Sequence, residues 1–317
     1  MQITFLGTSS GVPTRSRNVS ALAFRLPQKA ELWLFDCGEG TQHQFQRSDL
    51  KVSQLRRIFV THMHGDHVFG LMGLLASCGL AGSVDRIDIY GPPKLNEYLS
   101  ASSRYSQTHF SFPLKVHTVE PGTVYEDDEF IVKCNPLKHR VPAFGYRIEE
   151  KDRPGHFNVD KAKSLGIPSG PLYGQLKRGE WVTLPDGRKI NGADLCGPMQ
   201  RGRKFAYCTD TIFCESAVEL AKDVDLLIHE ATFAHQDAQL AYERLHSTST
   251  MAAQVALAAQ AKNLMMTHFS PRYAPGNSLQ LDDLLAEARA IFPNTSMAHD
   301  FLTYEVSRDS ALNVRGG

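Results

Sequence analysis

The chain has 317 residues, 42% of them hydrophobic, enough for one large domain or two modest ones with a core that needs no covalent staples. Its 34 Lys and Arg balance 34 Asp and Glu, which excludes a protein coated in basic residues and still permits a local basic patch. Six scattered cysteines without a C-x-x-C pair exclude a disulfide framework or zinc knuckle and read as free thiols of a reducing cytosol.

The N-terminal Met1-Gln2-Ile3-Thr4-Phe5-Leu6 alternates and then meets a Gly/Ser loop, without the charged and apolar regions of a signal peptide. No uncharged stretch approaches the roughly 20 apolar residues of a membrane span. A soluble, cytoplasmic protein with no membrane partner is expected. Short strands are predicted at residues 3–6, 21–26, 32–36, 58–61, 87–90 and 130–135, most of them bounded by Gly, Pro or Asp. Helical patterning interrupts them at 68–75, with Asp66 as the N-cap, and at 93–102, opened by Pro93. Strands alternating with helices indicate an α/β layer architecture.

Between 151 and 204 the texture changes. Glycine and proline recur (Pro154-Gly155, Gly166, Pro168, Gly170-Pro171, Gly174, Gly179), and eleven Lys and Arg face five Asp and Glu. The stretch is about +6 and the remainder about −6. It reads as a basic arm inserted into one domain spanning 1–317. The α/β texture then returns, with strands at 205–208, 226–229 and 264–267 and helices at 215–222, 249–261 and 279–291. The second half repeats the element order of the first, with no residue-level repeat. Trp33 reads as core and Trp181 as packing within the arm.

The chemistry is concentrated in His62-Met63-His64-Gly65-Asp66-His67, which follows the buried-strand pattern Arg57-Ile58-Phe59-Val60-Thr61 and precedes a helix. On an extended backbone side chains alternate with period two, so His62 and His64 point the same way and reach one ion. Asp66 and His67, at the turn into the helix, are aimed elsewhere and reach a second. Imidazole nitrogen and carboxylate oxygen are ligands for Zn²⁺, Mn²⁺ or Co²⁺. Further ligands must come from afar, and His139, Asp210 and His268 each follow the end of a predicted strand. Any one of them alone reads as structural.

Together these residues resemble the metallo-β-lactamase superfamily over nearly the whole chain. The resemblance implies a four-layer αβ/βα sandwich, two β-sheets face to face with helices outside and metal ligands on loops at one edge. It implies a first metal held by His62, His64, His139 and Asp210, and a second held by Asp66, His67, Asp210 and His268. Asp210 then bridges, as a carboxylate can when two ions stand about 3.5–4 Å apart.

A finer set of blocks is similar to the ribonuclease Z family, short form. These are Phe5-Leu6-Gly7-Thr8-Ser9-Ser10-Gly11-Val12-Pro13, Asp36-Cys37-Gly38-Glu39-Gly40-Thr41 and Lys138-His139-Arg140-Val141-Pro142-Ala143-Phe144-Gly145-Tyr146, then His229-Glu230-Ala231-Thr232, His246-Ser247-Thr248 and Thr267-His268-Phe269-Ser270. That resemblance implies an endoribonuclease that cuts the 3′ trailer from precursor tRNA, leaving a 3′-hydroxyl on the tRNA and a 5′-phosphate on the trailer. It implies two Zn²⁺ per subunit, a bridging hydroxide as nucleophile and Asp66 as proton acceptor. His246 protonates the departing oxygen or stabilises charge on phosphorus, and Glu230 orients His246; the plainer readings are a helix-start histidine and a strand-end carboxylate. It also implies a homodimer in which one subunit's arm serves the other's active site. Within the arm, capped by a Gly/Pro-rich segment centred on 166–179, Lys161, Lys163, Lys177 and Arg178 are expected to neutralise phosphates of the tRNA elbow, the alternative being a charged loop without structure.

Gly7 to Gly11 lacks the lysine and spacing of a P-loop and reads as a loop under the site. Arg15 and Arg17 after it read as solvated charges, with contact to the RNA backbone as the second possibility. Two other functions stay open: a small-molecule phosphodiesterase or other hydrolase of this fold, and an RNA-binding protein with structural zinc. A shared aspartate among seven candidate ligands favours an open dinuclear centre over a closed structural site.

Overall fold

In the segment Glu31–Phe35, Leu32 and Leu34 face one way and Trp33 and Phe35 the other, and all four are fully buried. A strand apolar on both faces belongs to a sheet covered on both sides. The structure is a computed structural model and describes residues 1–82, 84–307 and the backbone of 314–315. In chain order its strands are β1 (Gln2–Gly7), β2 (Ala21–Leu26), β3 (Glu31–Phe35), β4 (Leu55–Phe59), β5 (Ile87–Gly91), β6 (Leu114–Thr118), β7 (Gly122–Glu126), β8 (Phe130–Leu137) and β9 (Ala143–Glu150). They continue with β10 (Trp181–Thr183), β11 (Lys189–Asn191), β12 (Lys204–Cys208), β13 (Leu226–Glu230), β14 (Leu264–Thr267), β15 (Thr295–Met297), β16 (Thr303–Glu305) and β17 (Val314–Arg315).

One sheet runs β17-β16-β1-β2-β3-β4-β5-β6 and the other β15-β14-β13-β12-β9-β8-β7. From β16 to β3 the pairings are antiparallel and from β3 to β6 parallel; from β7 to β12 they are antiparallel and from β12 to β15 parallel. The two halves therefore repeat one topology, as their element order suggested. The loop residues just beyond β3 and β12 correspond: Asp36 and Asp210 both have left-handed backbones, φ 57° and 53°.

The inner faces of both sheets share one apolar core, in which Phe24, Trp33, Phe35 and Phe59 meet Tyr146, Ile148, Phe205 and Ile228. Phe59 stacks between Phe35 and Tyr90, with ring centroids 5.0 Å away on either side. Helices Leu71–Ala81 and Leu95–Ser106 cover the outer face of the first sheet, and Ser249–Ala258 and Leu281–Ile291 that of the second. This is the four-layer αβ/βα sandwich. Thr248 caps the third of these helices by accepting from the Met251 N–H, and a reciprocal Gln280–Asp283 capping box starts the fourth.

Several local expectations change. Asp66 is not an N-cap; it sits inside the short helix Gly65–Val68, whose cap position is His64, and a separate helix begins at Leu71. The helix expected from Pro93 starts at Leu95 and runs to Ser106. All six cysteines are free thiols, and Cys37, Cys78, Cys134 and Cys208 are buried.

Between β9 and β12 the chain forms helices Val159–Ser164 and Pro171–Lys177, the β10–β11 hairpin, and an apolar cluster of its own around Phe157, Ile167, Leu176, Val182 and Leu195. A segment with a private core is not a loop without structure. Trp181 takes no part in that core and is 68% exposed, because the inward position of its three-residue strand is Val182. Where the segment leaves β9, Gly202 passes so close that a Cβ there would meet the Glu150 carbonyl oxygen at 1.7 Å. Arg203 binds the Glu150 carboxylate through Nε at 2.7 Å and Nη2 at 2.8 Å, fixing the root.

Candidate metal centre

The parallel strands of both sheets end at one edge. Beyond β4 the chain stays extended through His62 and His64 before the helix that carries Asp66 and His67. Beyond β12 comes Asp210, at the end of β13 Glu230, beyond β14 His268, and two residues past β8 His139. Asp36, Asp210 and His268 (φ 59°) each turn the chain in the left-handed region at a strand end. Asp and His tolerate that region better than most residues, yet it costs about 1–3 kcal/mol per position and marks functional sites.

The structure brings all seven expected ligands together in two groups with a shared aspartate. One ligand atom from each of His62, His64, His139 and Asp210 lies within 4.8 Å of the others, and the same holds for Asp66, His67, Asp210 and His268. In the first group Nε2 of His62 stands 3.0 Å and Nε2 of His139 3.2 Å from Nδ1 of His64. Asp210 divides its oxygens: Oδ2 is 3.5 Å from His62 Nε2 and 3.8 Å from His139 Nε2, whereas Oδ1 is 3.2 Å from both His67 Nε2 and His268 Nε2. Zinc–nitrogen bonds of about 2.0–2.1 Å imply tetrahedron edges of about 3.3 Å, so these spacings suit an ion. Buried Nε2 of His67 makes no hydrogen bond, although carboxylate oxygens lie 3.2 and 3.5 Å away, as befits a lone pair reserved for a metal. The donors fit a divalent cation, and the edge is a candidate metal-binding site.

The partners that orient these imidazoles were only partly visible in the sequence. Asp36 accepts from Nδ1 of His67 at 2.8 Å and from Thr61 Oγ1 at 3.0 Å; Thr61 Oγ1 in turn meets Nδ1 of His62 at 3.0 Å. One buried carboxylate thus orients a histidine of each group. In the sequence Asp36 opens the block Asp36-Cys37-Gly38-Glu39-Gly40-Thr41 without a role of its own; its place at the end of the predicted strand 32–36 was the available signal. His139 is fixed by the Leu245 carbonyl at 2.9 Å and His268 by Thr232 Oγ1 at 3.0 Å. Such outer contacts set the tautomer that leaves the other nitrogen free for a metal.

Electrostatics follow from the same packing. Burial opposes ionisation of Asp210, but His268, His67 and His62 outweigh it and hold the carboxyl far below its usual range. Burial likewise opposes ionisation of Asp66, and His67 and His268 overcome it. His67 is pushed well upward because Asp210, Asp66 and Asp36 overcome burial, whereas burial and the nearby His67 push His62 down. The pocket is anionic and suited to cations.

Beside this edge Glu230, fully buried, accepts from the backbone N–H groups of Thr211 at 2.7 Å and Ser247 at 3.0 Å, from Thr232 Oγ1 at 2.6 Å, and from His246 Nδ1 at 2.9 Å. Burial would lower the His246 pKa, but Glu230, with Asp210 and Asp66, raises it to about 9. The Glu230 carboxylate thus favours the protonated form of the His246 ring, whose Nε2 stands 4.0 Å from Asp210 Oδ2.

Of the arm residues, Lys161 donates to the Asp194 carbonyl at 2.8 Å and Arg178 pairs with Glu180 at 2.6 Å, while Lys177 lies 5.9 Å from the Phe157 ring centroid. Lys163 is exposed with no ion pair among the described residues. Among the described residues none of the four hydrogen-bonds or ion-pairs with a candidate ligand. Arg17 is not a solvated charge: it donates to Thr8 Oγ1 at 2.7 Å and the Ala298 carbonyl at 2.8 Å and lies over Phe269. Asp300, accepting from Thr8 Oγ1 and Asn18 N at 2.7 Å, completes that anchor of the loop under the site.

Residues 1–151 match the family model described as anti-Pycsar protein Apyc1, and residues 191–269 match a β-lactamase superfamily domain. Two mixed sheets with outer helices and a shared edge of paired His/Asp ligand groups define a hydrolase of the metallo-β-lactamase fold. The chain is 76% identical over 308 residues to ribonuclease Z of Trichodesmium erythraeum, covering 97% of this chain and 96% of that one, and 73% identical to ribonuclease Z of Nostoc sp., with the same coverage. It is 30% identical to the crystal structure of human tRNase Z, short form, with a TM-score of 0.70 over 97% of this chain and all of that one. The chain belongs to the ribonuclease Z family and is a nuclease acting on phosphodiester bonds.

Proposed function

We propose that this protein is an endoribonuclease that removes the 3′ trailer of precursor tRNA, leaving a 3′-hydroxyl on the tRNA and a 5′-phosphate on the trailer, with two Zn²⁺ per subunit. The observation that carries the reading is the two ligand groups joined at Asp210 beside the His246–Glu230 pair. The relatives named ribonuclease Z and tRNase Z supply the substrate class. His62, His64, His139 and Asp210 would hold one ion, and Asp66, His67, Asp210 and His268 the other. Divalent ions held there would bring the pKa of a water toward neutrality and offset charge on phosphoryl oxygens. The donor set also accepts Mn²⁺ or Co²⁺.

Asp66, an anion at neutral pH with Oδ2 also accepting from Gly11 N at 2.9 Å, orients the attacking water and takes its proton. As the bond from phosphorus to the 3′ oxygen breaks, negative charge grows on that oxygen. His246, protonated at neutral pH, donates its Nε2 proton there, and Glu230 holds the ring in place through Nδ1. Binding draws on the arm. Its private core supports a preformed, shape-reading element, which suits folded tRNA. Of the four expected arm cations, Lys163 is the one without a contact inside the arm among the described residues, since Lys161, Lys177 and Arg178 are engaged there. A homodimer in which each arm serves the neighbouring active site belongs to the same reading.

The test is incubation of the purified protein with labelled precursor tRNA, with and without chelator, followed by mapping of both new ends. A 3′-hydroxyl tRNA and a 5′-phosphorylated trailer that vanish with chelator are expected. Cleavage unaffected by thorough chelation, or the opposite assignment of phosphate, overturns the reading.

A further inference from the structure

Between the Glu230–His246 pair and the ligand His268 stands a side chain that the chemistry above does not use. Thr232 is 2% exposed, and its hydroxyl oxygen lies 2.6 Å from Glu230 Oε2, 3.0 Å from His268 Nδ1 and 3.0 Å from the His268 carbonyl oxygen. The backbone keeps it there from both sides. Ala231 N–H donates to the Thr267 carbonyl at 2.9 Å and Ser270 N–H to the Thr232 carbonyl at 3.3 Å, which ties the segment to the loop that carries His268. Phe233 N–H donates to the Ser247 carbonyl at 3.2 Å and Ser249 N–H to the Phe233 carbonyl at 2.9 Å, which ties it to the loop that carries His246.

A hydroxyl has one proton to give and two lone pairs, so these contacts cannot all be donations. Their directions follow from the neighbours. Glu230 Oε2 also accepts from the Ser247 N–H at 3.0 Å, and Oε1 accepts from the Thr211 N–H at 2.7 Å and from His246 Nδ1 at 2.9 Å. A carboxylate surrounded by donors is an acceptor throughout, and 2.6 Å is the length of an O–H···O⁻ hydrogen bond. The Thr232 proton therefore goes to Glu230. Its oxygen then accepts the proton of His268 Nδ1, which leaves the lone pair of His268 Nε2 facing Asp66 Oδ2 and Asp210 Oδ1, 3.4 and 3.2 Å away. The bonds run in one direction, from His268 to Thr232 to Glu230, and His246 donates to the other oxygen of the same carboxylate.

We propose that Thr232 is a positioning residue that joins the second ligand group to the proton donor: one hydroxyl fixes the His268 ring for the metal and the Glu230 carboxylate for His246. The inference rests on the proposed function, which gives His268 and His246 those roles. Residue type fits the task. Branching at Cβ restricts χ1, so threonine holds its hydroxyl more firmly than serine does. Valine has the same shape without the hydroxyl; it would leave a buried imidazole N–H unsatisfied and Glu230 Oε2 one donor short, a loss that burial makes costly.

The experiment uses the metal-loaded full chain and has two readouts, metal affinity and the dependence of rate on the leaving group. In Thr232→Val one ion is expected to leave about 10–100-fold more readily in competition with a chromophoric chelator, as when a metal-bound histidine loses its outer partner. At saturating metal the single-turnover rate on precursor tRNA is expected to stay at least about tenfold below wild type, because a departing sugar oxygen needs a proton. Hydrolysis of bis(p-nitrophenyl) phosphate, whose leaving group departs without one, recovers. Thr232→Ser restores both readouts, and Thr232→Ala gives the same pair of losses where the valine variant fails to fold. Full recovery of both substrates at saturating metal confines the hydroxyl to His268, and a loss on RNA with metal affinity unchanged confines it to Glu230; either result overturns the link. A serine variant no better than the valine one overturns the role of the hydroxyl. Wild type that binds metal and leaves precursor tRNA uncut refutes the functional reading instead, while the chelator competition, which needs no RNA, still decides the His268 half of the link.

Discussion

Glu230 Oε1 accepts from His246 Nδ1 at 2.9 Å, and this leaves Nε2 of the same ring 4.0 Å from the shared carboxylate of Asp210. The imidazole is thereby held at the mouth of the metal centre and kept protonated to about pH 9. Activity that depends on the protonated form is full below that pKa and is lost as pH rises through it. The alkaline limb of the kcat profile is expected near pH 9. In Glu230→Gln it moves toward 6.5, the ordinary value for histidine, since the compensating carboxylate is gone. A limb that stays in place in this variant assigns it to another group.

His246→Asn keeps a polar side chain but removes the proton donor. Loss of general acid catalysis typically costs about 10²–10⁴-fold in rate. A fall of that size in kcat with bound metal content unchanged by atomic absorption is expected. Departure of metal with the activity would make His246 a ligand instead.

Asp36 serves a histidine of each ligand group, directly at His67 and through Thr61 at His62. Removing such an outer partner usually weakens metal binding about 10–100-fold. Asp36→Asn is therefore expected to weaken both ions in competition with a chromophoric chelator, while circular dichroism stays native. Weakening of one ion alone would show that the Thr61 link is idle.

Asp127 supplies a pH dependence remote from the metals. Burial raises its pKa, but the Lys29 ammonium at 3.0 Å, the backbone N–H groups of Glu129 and Phe130 and the Tyr125 hydroxyl at 2.8 Å bring it down to about 2. A depressed carboxyl contributes stability above its unfolded pKa of about 3.9, and that contribution is lost as pH falls through the folded value. Partial exposure limits the effect to about 1 kcal/mol. Urea midpoints of wild type and Asp127→Asn should differ at pH 6 and converge toward pH 2; a constant difference contradicts the assignment.

The arm has its own core and a root fixed by Arg203–Glu150, so its removal between these residues leaves the sandwich its own cores. Deleting 152–202 is expected to abolish cleavage of precursor tRNA and spare hydrolysis of a chromogenic phosphodiester. Equal loss on both substrates counts against the arm as a binding element. In Lys163→Ala the slope of log affinity against log salt should fall by about one if that lysine neutralises a phosphate.

The candidate ligands that the structure brings together were legible in the sequence because metal chemistry restricts residue type and local spacing. His62 to His67 stands on one stretch of backbone, and the strand pattern before it already showed where it lies. Arg17 and Trp181 were less legible. An arginine in a Gly/Ser loop looks solvated until Phe269 and the Ala298 carbonyl arrive from 252 and 281 positions away, and a tryptophan looks buried until its strand shows which face turns inward. The helix after Asp66 was misplaced by one turn, since His64 takes the cap position while the following residues begin the short helix.

By itself the sequence determined the layer alternation, the basic insertion and the identity of seven chemical groups, because periodicity, charge and side-chain type are local properties. Tertiary structure decided how those groups combine. Parallel strands of both sheets end at one edge, so His139, Asp210 and His268 converge on the His62 to His67 segment across as many as 206 positions of chain. It also decided that Asp36 governs both ligand groups and that Phe69 stays uncovered beside them, since these relations depend on distances through space that no spacing along the chain encodes.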